Sequence, residues 1–494
     1  MMKKPLFNPS QPLADARAYI KQRGAYVQGA DKAMFHLSSP IGWINDPNGF
    51  SAYGGKIHLF FQHYPFSPKW GSMHWGHVVT DDLVRWQLLP EALAPDQAYE
   101  DGCFSGSALQ VEDRHILIYT SHRDFLDGDG KPIVQQSQSM AWGNGVDYEK
   151  YENNPVLRSD QLPPGASAVD FRDPKVWRED SVFRMIVGSC CASSGGQALL
   201  YESEDLIHWR YVCTVDQSRH ALGEMWECVD FFELDGQWIL LTSPMAMPRC
   251  IESGFHGQHD TVCIIGSWNE KEKTFQRSRV GCVDAGWDFY APQTTLLPDG
   301  RRMMIAWMQS WDNPVTPPEQ QWSGMMTFPR ELRIVRDRLY QLPAKEIERY
   351  YTSQRAADGI ADQSPVLLDS GRHLDCTLTL SDARDAVFQL SVAVGAGYAA
   401  RLLFDLPAGT VTLDRTDAGM SNDLIPVHTV RLQEVSDTLK IQILLDLWSM
   451  EVFLQDGAQA ITSLLYTPQS AQDIVLQPIT PVRYHFVSHH IEVE

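Results

Sequence analysis

From His36 onward, short apolar runs alternate with clusters of Gly, Pro, Asn and Asp, and helical periodicity is nearly absent. That pattern predicts strands separated by turns. Candidate strands lie at 56–64, 115–121, 183–188, 197–201, 238–243, 261–266 and 302–308. Ahead of them, Ala14, Ala16, Tyr19 and Ile20 recur at helix-like spacing within 11–29 and predict one short helix. Many short strands at even spacing belong to an all-β barrel, sandwich or propeller. A weak repeat favours the propeller. Asp82-Leu83-Val84-Arg85-Trp86 is echoed by Asp205-Leu206-Ile207-His208-Trp209, and more loosely by Gly145-Val146-Asp147-Tyr148 and by Ser267-Trp268 leading to Phe275. The period is roughly 60 residues, which suits a four-stranded blade with long loops. About five such units fit between His36 and Leu342.

Residues 1–343 are therefore expected to form an all-β, five-bladed β-propeller with a short N-terminal helix. A charged, helix-prone linker follows over 344–354. Further candidate strands at 375–380, 386–393, 399–405, 410–414, 439–446, 449–454 and 483–487 predict a separate C-terminal β-sandwich over 355–494.

Composition narrows the partners. At 494 residues the chain is long enough for two or three domains, on a prior of about 150 residues each. A formal charge of −21 argues against nucleic acid, an anionic membrane or a phosphate-rich partner, and is compatible with a neutral small molecule. The 15 Trp, 17 Tyr and 20 Phe fill cores and also suit a flat ligand such as a sugar. No apolar run after Met1-Met2-Lys3-Lys4-Pro5 reads as a signal peptide, and no stretch is long enough to span a membrane. Nine cysteines, an odd number without a CxxC pair, read as reduced thiols in a cytoplasmic enzyme. No His/Asp/Glu cluster has ligand-like spacing, so neither a metal nor another cofactor is expected.

Three acidic motifs carry the candidate chemistry. The first is Gly42-Trp43-Ile44-Asn45-Asp46-Pro47-Asn48-Gly49-Phe50, an apolar start that breaks into strong turn chemistry. It predicts a strand that stops at Asp46, with Trp43 offering a flat face on which a sugar ring stacks. The second, Phe171-Arg172-Asp173-Pro174, repeats this logic and predicts a pair between Arg172 and Asp173. The third is Met225-Trp226-Glu227-Cys228-Val229-Asp230-Phe231-Phe232. A glutamate in so apolar a run is expected to be poorly solvated and to hold its proton towards neutrality. Strand alternation would put Trp226, Cys228 and Asp230 on one face, and Glu227 and Val229 on the other. Taken singly, each motif also reads as a structural turn, a turn ion pair or an outward-facing edge residue. If the innermost strands of a propeller converge on its axis, Asp46, Asp173 and Glu227 meet in one pocket. Two carboxylates flanking a glycosidic bond are what glycoside hydrolysis requires.

Together these motifs resemble glycoside hydrolase family 32, the β-fructofuranosidases. The resemblance extends through His58-Leu59-Phe60-Phe61-Gln62, Trp70-Gly71-Ser72-Met73-His74-Trp75-Gly76-His77 and Phe104-Ser105-Gly106-Ser107. It continues in Asp288-Phe289-Tyr290-Ala291-Pro292-Gln293, Pro329-Arg330-Glu331-Leu332 and, in the tail, Met450-Glu451-Val452-Phe453-Leu454-Gln455-Asp456-Gly457. The resemblance implies a five-bladed propeller joined to a sandwich, and retention through a covalent fructosyl-enzyme. It makes Asp46 the nucleophile, Glu227 the acid/base and Asp173 the stabiliser of the transition state. Asn45, Gln62, Trp70, Phe104, Ser105 and Arg172 would line the fructose subsite, with Tyr290, Trp307 and Trp311 at its neighbour. Val229 departs from the proline common after the motif cysteine, and Ser121 from a common glycine. A Pro-rich insert at 311–318 falls where a rim loop would shape the leaving-group subsite.

The division of labour makes physical sense. Asn45 and neighbouring amides would favour an ionised Asp46, while that charge would help Glu227 keep its proton until Asp46 is consumed. The expected substrate is sucrose, with short fructans or sucrose 6-phosphate as alternatives and fructosyl transfer as a variant outcome. A non-catalytic fructan-binding protein is the distant alternative.

Overall fold

The computed structural model describes residues 8–24, 32–126, 128–313, 320–420 and 422–493. The later part of the expected 11–29 helix, and residues 314–318 of the insert, lie outside the described residues. The helix spans Gln11–Arg23, starts at Ser10, whose hydroxyl accepts from the Leu13 amide, and buries Leu13, Ala16 and Ile20. No described helix is long and apolar enough to cross a membrane.

Five sheets, formed by consecutive stretches of chain, make the propeller. Their innermost strands are Gly42–Tyr53, Gly102–Val111, Ala166–Glu179, Met225–Leu234 and Tyr290–Leu296. Each packs against the next, and the fifth packs back on the first, which closes the ring. The first sheet gains a short parallel strand, Trp322–Ser323, from the end of the propeller. The sandwich consists of two six-stranded sheets around a core that includes the stacked pair Phe388 and Phe404.

The repeat seen in the sequence has a structural cause. Between the third and fourth strands of the first sheet, Asp82 Oδ1 accepts from the amides of Val84 and Arg85. Asp205 Oδ1 does the same for Ile207 and His208 in the third sheet. In the second sheet Asn144 Oδ1 caps Val146 and Asp147, and in the fourth Asn269 Oδ1 caps Lys271 and Glu272. These side chains replace the backbone in closing one and the same turn. The two looser echoes fell just after Asn144 and on either side of Asn269, one residue type away from the aspartates that made the other two visible.

Two expectations about the acidic motifs are corrected. The strands do not stop at Asp46 and Asp173; both run straight through, over 12 and 14 residues. In every innermost strand the pairing register slips, at Asn45-Asp46, Ser105, Asp173-Pro174, Cys228-Val229 and Ala291-Pro292, and in the first and third it slips a second time. Asp173, Cys228 and Ala291 take positive φ angles of 65°, 47° and 52° there. The Asp-Pro steps that look like turns are bulges, which tolerate a residue with no N–H to offer. The bulge also breaks the alternation expected around Glu227, so Glu227 and Cys228 both reach the same cavity region. Gly188 lets the fourth ring strand come this close, since a side chain there would meet the Trp226 carbonyl oxygen at 2.1 Å.

The linker is shorter than expected. A 3-10 helix spans Lys345–Tyr350, and Tyr351 already begins the first strand of the sandwich, Tyr351–Ala361. The seam between propeller and sandwich holds a buried ionic network. His36 Nδ1 lies 2.9 Å from Asp446 and its Nε2 2.8 Å from Glu451. Arg330 donates to Glu451 and to Asp284, at 2.8 Å each. Arg415 pairs with Asp288 and Asp423. Glu451 of the tail motif is thus a member of this network.

Candidate active site

A cavity of about 320 Å³ opens where the innermost strands converge. Blade by blade, the bulges deliver its floor: Asn45 and Asp46, Ser105, Arg172 and Asp173, then Glu227. Gln62, Trp70 and Phe104 complete the side formed by the first two blades. Gln62 is fixed by donating to the Cys103 carbonyl at 2.9 Å, and Phe104 stacks on His122 at 4.1 Å between ring centroids. Trp70 is half exposed at the rim.

The three carboxylates are held differently. Asp46 accepts on both oxygens, from Asn45 Nδ2 at 3.0 Å and from Ser105 Oγ at 2.6 Å. Burial pushes its pKa up, and the charge of Glu227 adds to this; the two hydrogen bonds oppose it. Asp173 accepts the Cys228 amide at 3.0 Å, while its own amide donates to Thr120 Oγ1 at 2.9 Å. Burial and the neighbouring charge of Glu227 raise it, against the pull of Arg172. Glu227 sits between Arg172 Nε, 2.8 Å from Oε1, and the Tyr290 hydroxyl, 2.7 Å from Oε2. The Cys228 thiol lies 3.7 Å from Asp46 and 3.6 Å from Asp173, a neutral group because burial holds its pKa well above the ordinary thiol value.

Arg172 does not form the expected pair with Asp173. Its guanidinium bonds Glu227 and, at 2.8 Å, Asp170. The bulge turns the two neighbours apart, so the arginine spans from the third blade to the fourth. Burial disfavours its charge, but Glu227, Asp173 and Asp170 more than restore it.

Three aromatic candidates stand behind the wall. Trp43 is buried, donates its indole N–H to Asn45 Oδ1 at 2.8 Å, and offers no open face to a sugar. Trp307 is fully buried against Trp43 and Trp311. Tyr290 is buried and reaches the site only through its hydroxyl. Of the aromatics expected at the neighbouring subsite, Trp311 alone lines the cavity. The sequence reading missed Met245 and His259, which also line it. Met245 ends the strand paired with the Glu227 strand, and nothing in its local sequence marks it. His259 falls in a His- and Gly-rich loop outside every motif.

Paired carboxylates in a pocket of this size, one backed by neutral donors and one by a cation and a phenol, are what a glycoside hydrolase requires. The model of the glycosyl hydrolases family 32 N-terminal domain matches residues 36–343, and that of the family 32 C-terminal domain matches 340–488. The chain belongs to this family of sucrose and fructan hydrolases. It is 34% identical to a sucrose-6-phosphate hydrolase of Escherichia coli over 446 residues, covering 90% of this chain and 91% of that one. A raffinose invertase of Escherichia coli is 34% identical over 475 residues, covering 94% and 96%. Among solved structures, a mutant GH32 beta-fructofuranosidase of Bombyx mori in complex with sucrose superposes with a TM-score of 0.84 at 30% identity, covering 98% of this chain and 99% of that one.

Proposed function

We propose that the chain is a retaining β-fructofuranosidase that hydrolyses sucrose to glucose and fructose. Asp46 attacks the anomeric carbon of the fructosyl unit while Glu227 protonates the departing glucosyl oxygen. Glucose leaves and a fructosyl ester forms on Asp46. Glu227, now ionised, takes a proton from water as the water attacks the same carbon, and fructose departs with the Asp46 carboxylate restored. Asp173, fixed by the Cys228 amide, is left to hold fructose hydroxyls as charge develops on the ring.

The observation that carries this reading is the donor set of Asp46. Two neutral donors stabilise its carboxylate and orient both oxygens without cancelling the charge that must attack. Sucrose is favoured over its phosphate ester because Arg172 is the one Lys or Arg among the described lining residues, and it is already committed to Glu227 and Asp170. All nine cysteines are free thiols, which supports the reducing environment of a cytoplasm.

The test is chromatography of the products from sucrose, with sucrose 6-phosphate and an inulin-type oligosaccharide in parallel. Equal glucose and fructose from sucrose is the expected result. Glucose in excess with new trisaccharides would mean fructosyl transfer, and turnover of only the phosphate ester or the oligosaccharide would overturn the substrate assignment.

A further inference from the structure

We propose that the sandwich domain builds the leaving-group wall of the cavity through Asn313, a positioning residue that sets selectivity for the departing sugar. The proposal rests on the fructosidase reading above. Glu227 protonates the leaving oxygen, so the departing sugar must lie on the side of the fourth and fifth blades. The wall there is formed by Met245, His259 and Trp311.

Three consecutive residues have three different attachments. Trp311 faces the cavity and packs on Trp43 and Trp307, with centroids 6.0 and 4.9 Å away. Asp312 latches the fourth blade: its carboxylate accepts the His259 amide at 2.9 Å and meets His259 Nδ1 at 2.9 Å. Asn313 latches the sandwich. It is fully buried, donates Nδ2 to Asp423 Oδ1 at 2.6 Å and accepts the Leu424 amide on Oδ1 at 2.9 Å. Both faces of one amide are therefore used by a single sandwich loop.

That loop is itself anchored to the catalytic ring. Asp423 pairs with Arg415 at 2.7 Å, and Arg415 pairs with Asp288, two residues before the Tyr290 that holds Glu227. A fully buried asparagine bonded to a carboxylate on one side and a backbone amide on the other has no freedom to drift. Trp311 and His259 are thus placed by a chain of contacts that starts in the sandwich. The fructose side is built by the first three blades and meets this chain where Trp311 packs on Trp43.

The experiment compares two substrates that share fructose and differ in what leaves: sucrose and β-D-fructofuranosyl fluoride, whose fluoride needs no wall. Asn313→Ala is expected to lower kcat/KM for sucrose by about ten-fold, mainly through KM, and to change that for the fluoride by less than about two-fold. Asn313→Asp sets carboxylate against carboxylate at Asp423 and should cost more on sucrose, again sparing the fluoride, whose turnover reports an intact fructose site in both variants. A misfolded variant would lose both substrates. Equal losses on both substrates, or no loss on sucrose, would overturn the proposal. If the wild-type enzyme splits a fructo-oligosaccharide or sucrose 6-phosphate instead of sucrose, the substrate assignment fails, and the same comparison with that sugar still decides the role of Asn313.

Discussion

Tyr290 reaches Glu227 from behind the cavity wall, its hydroxyl 2.7 Å from Oε2 and also donating distance, 3.0 Å, from the Ser243 carbonyl. Burial and the charge of Glu227 push the phenol well above its ordinary pKa, so it remains a donor across the working range. With Arg172 on the other oxygen, the Glu227 carboxylate is held at both ends, as the proposed acid/base role requires. Tyr290→Phe removes one of the two anchors without emptying space. It is expected to lower kcat by roughly ten-fold with KM nearly unchanged, measured by steady-state kinetics on sucrose.

Asp46→Ala tests the nucleophile. The side chain lines the cavity and bonds Asn45, Ser105 and the Cys228 thiol. Turnover should fall by about 10⁴-fold while the thermal midpoint stays close to that of wild type. Ordinary activity in this variant would remove Asp46 from the mechanism.

Ser105→Ala tests how Asp46 stays ionised. Burial raises the Asp46 pKa, and the Ser105 hydrogen bond is the largest influence holding it down. Losing that bond raises it further, so a larger fraction of Asp46 is protonated at a given pH and unable to serve as the proposed nucleophile. The acidic limb of the kcat/KM profile should move to higher pH, with the alkaline limb in place. A shift to lower pH would contradict the electrostatic assignment.

How much of this was readable in advance depended on whether chemistry or geometry decided it. The acidic motifs named themselves by composition, and Asp46, Asp173, Glu227 and their six neighbours Asn45, Gln62, Trp70, Phe104, Ser105 and Arg172 do line one cavity. Second and third strands such as Lys56–Tyr64 were visible as short segments around an apolar centre, here Leu59-Phe60-Phe61. The innermost strands were not, since Asp-Pro and Asn-Gly steps have the same composition whether they close a turn or form a bulge. That is also why Glu227 and Cys228 were expected on opposite faces. Trp43 and Trp307 were indistinguishable by residue type from Trp311, and burial alone separates them. Asn313 and Asp423, more than a hundred residues apart, left no signal at all.

The seam between the domains predicts an alkaline loss of stability. Burial by itself would lower the pKa of His36, but Asp446 and Glu451 on its two nitrogens raise it from 6.5 to about 9. A group raised in the folded state contributes stability that is fully present below pH 6.5 and lost as pH climbs through about 9. Asp446 runs the other way: burial opposes its charge, yet His36 lowers it from 3.8 to about 2, so its contribution is present above pH 3.8 and fades as pH falls through 2. Between these limits the network is complete. The thermal midpoint of wild type should therefore decline between pH 6.5 and 9, and His36→Gln, which keeps a donor but cannot titrate there, should flatten that slope. Glu451→Ala goes further, because it leaves Arg330 and His36 buried beside an empty acceptor. Breaking a buried pair in this way costs ~3–5 kcal/mol, and the loss should appear in chemical denaturation at pH 7. If His36→Gln retains the full alkaline decline, the titrating group lies elsewhere and the seam is held by packing rather than by charge.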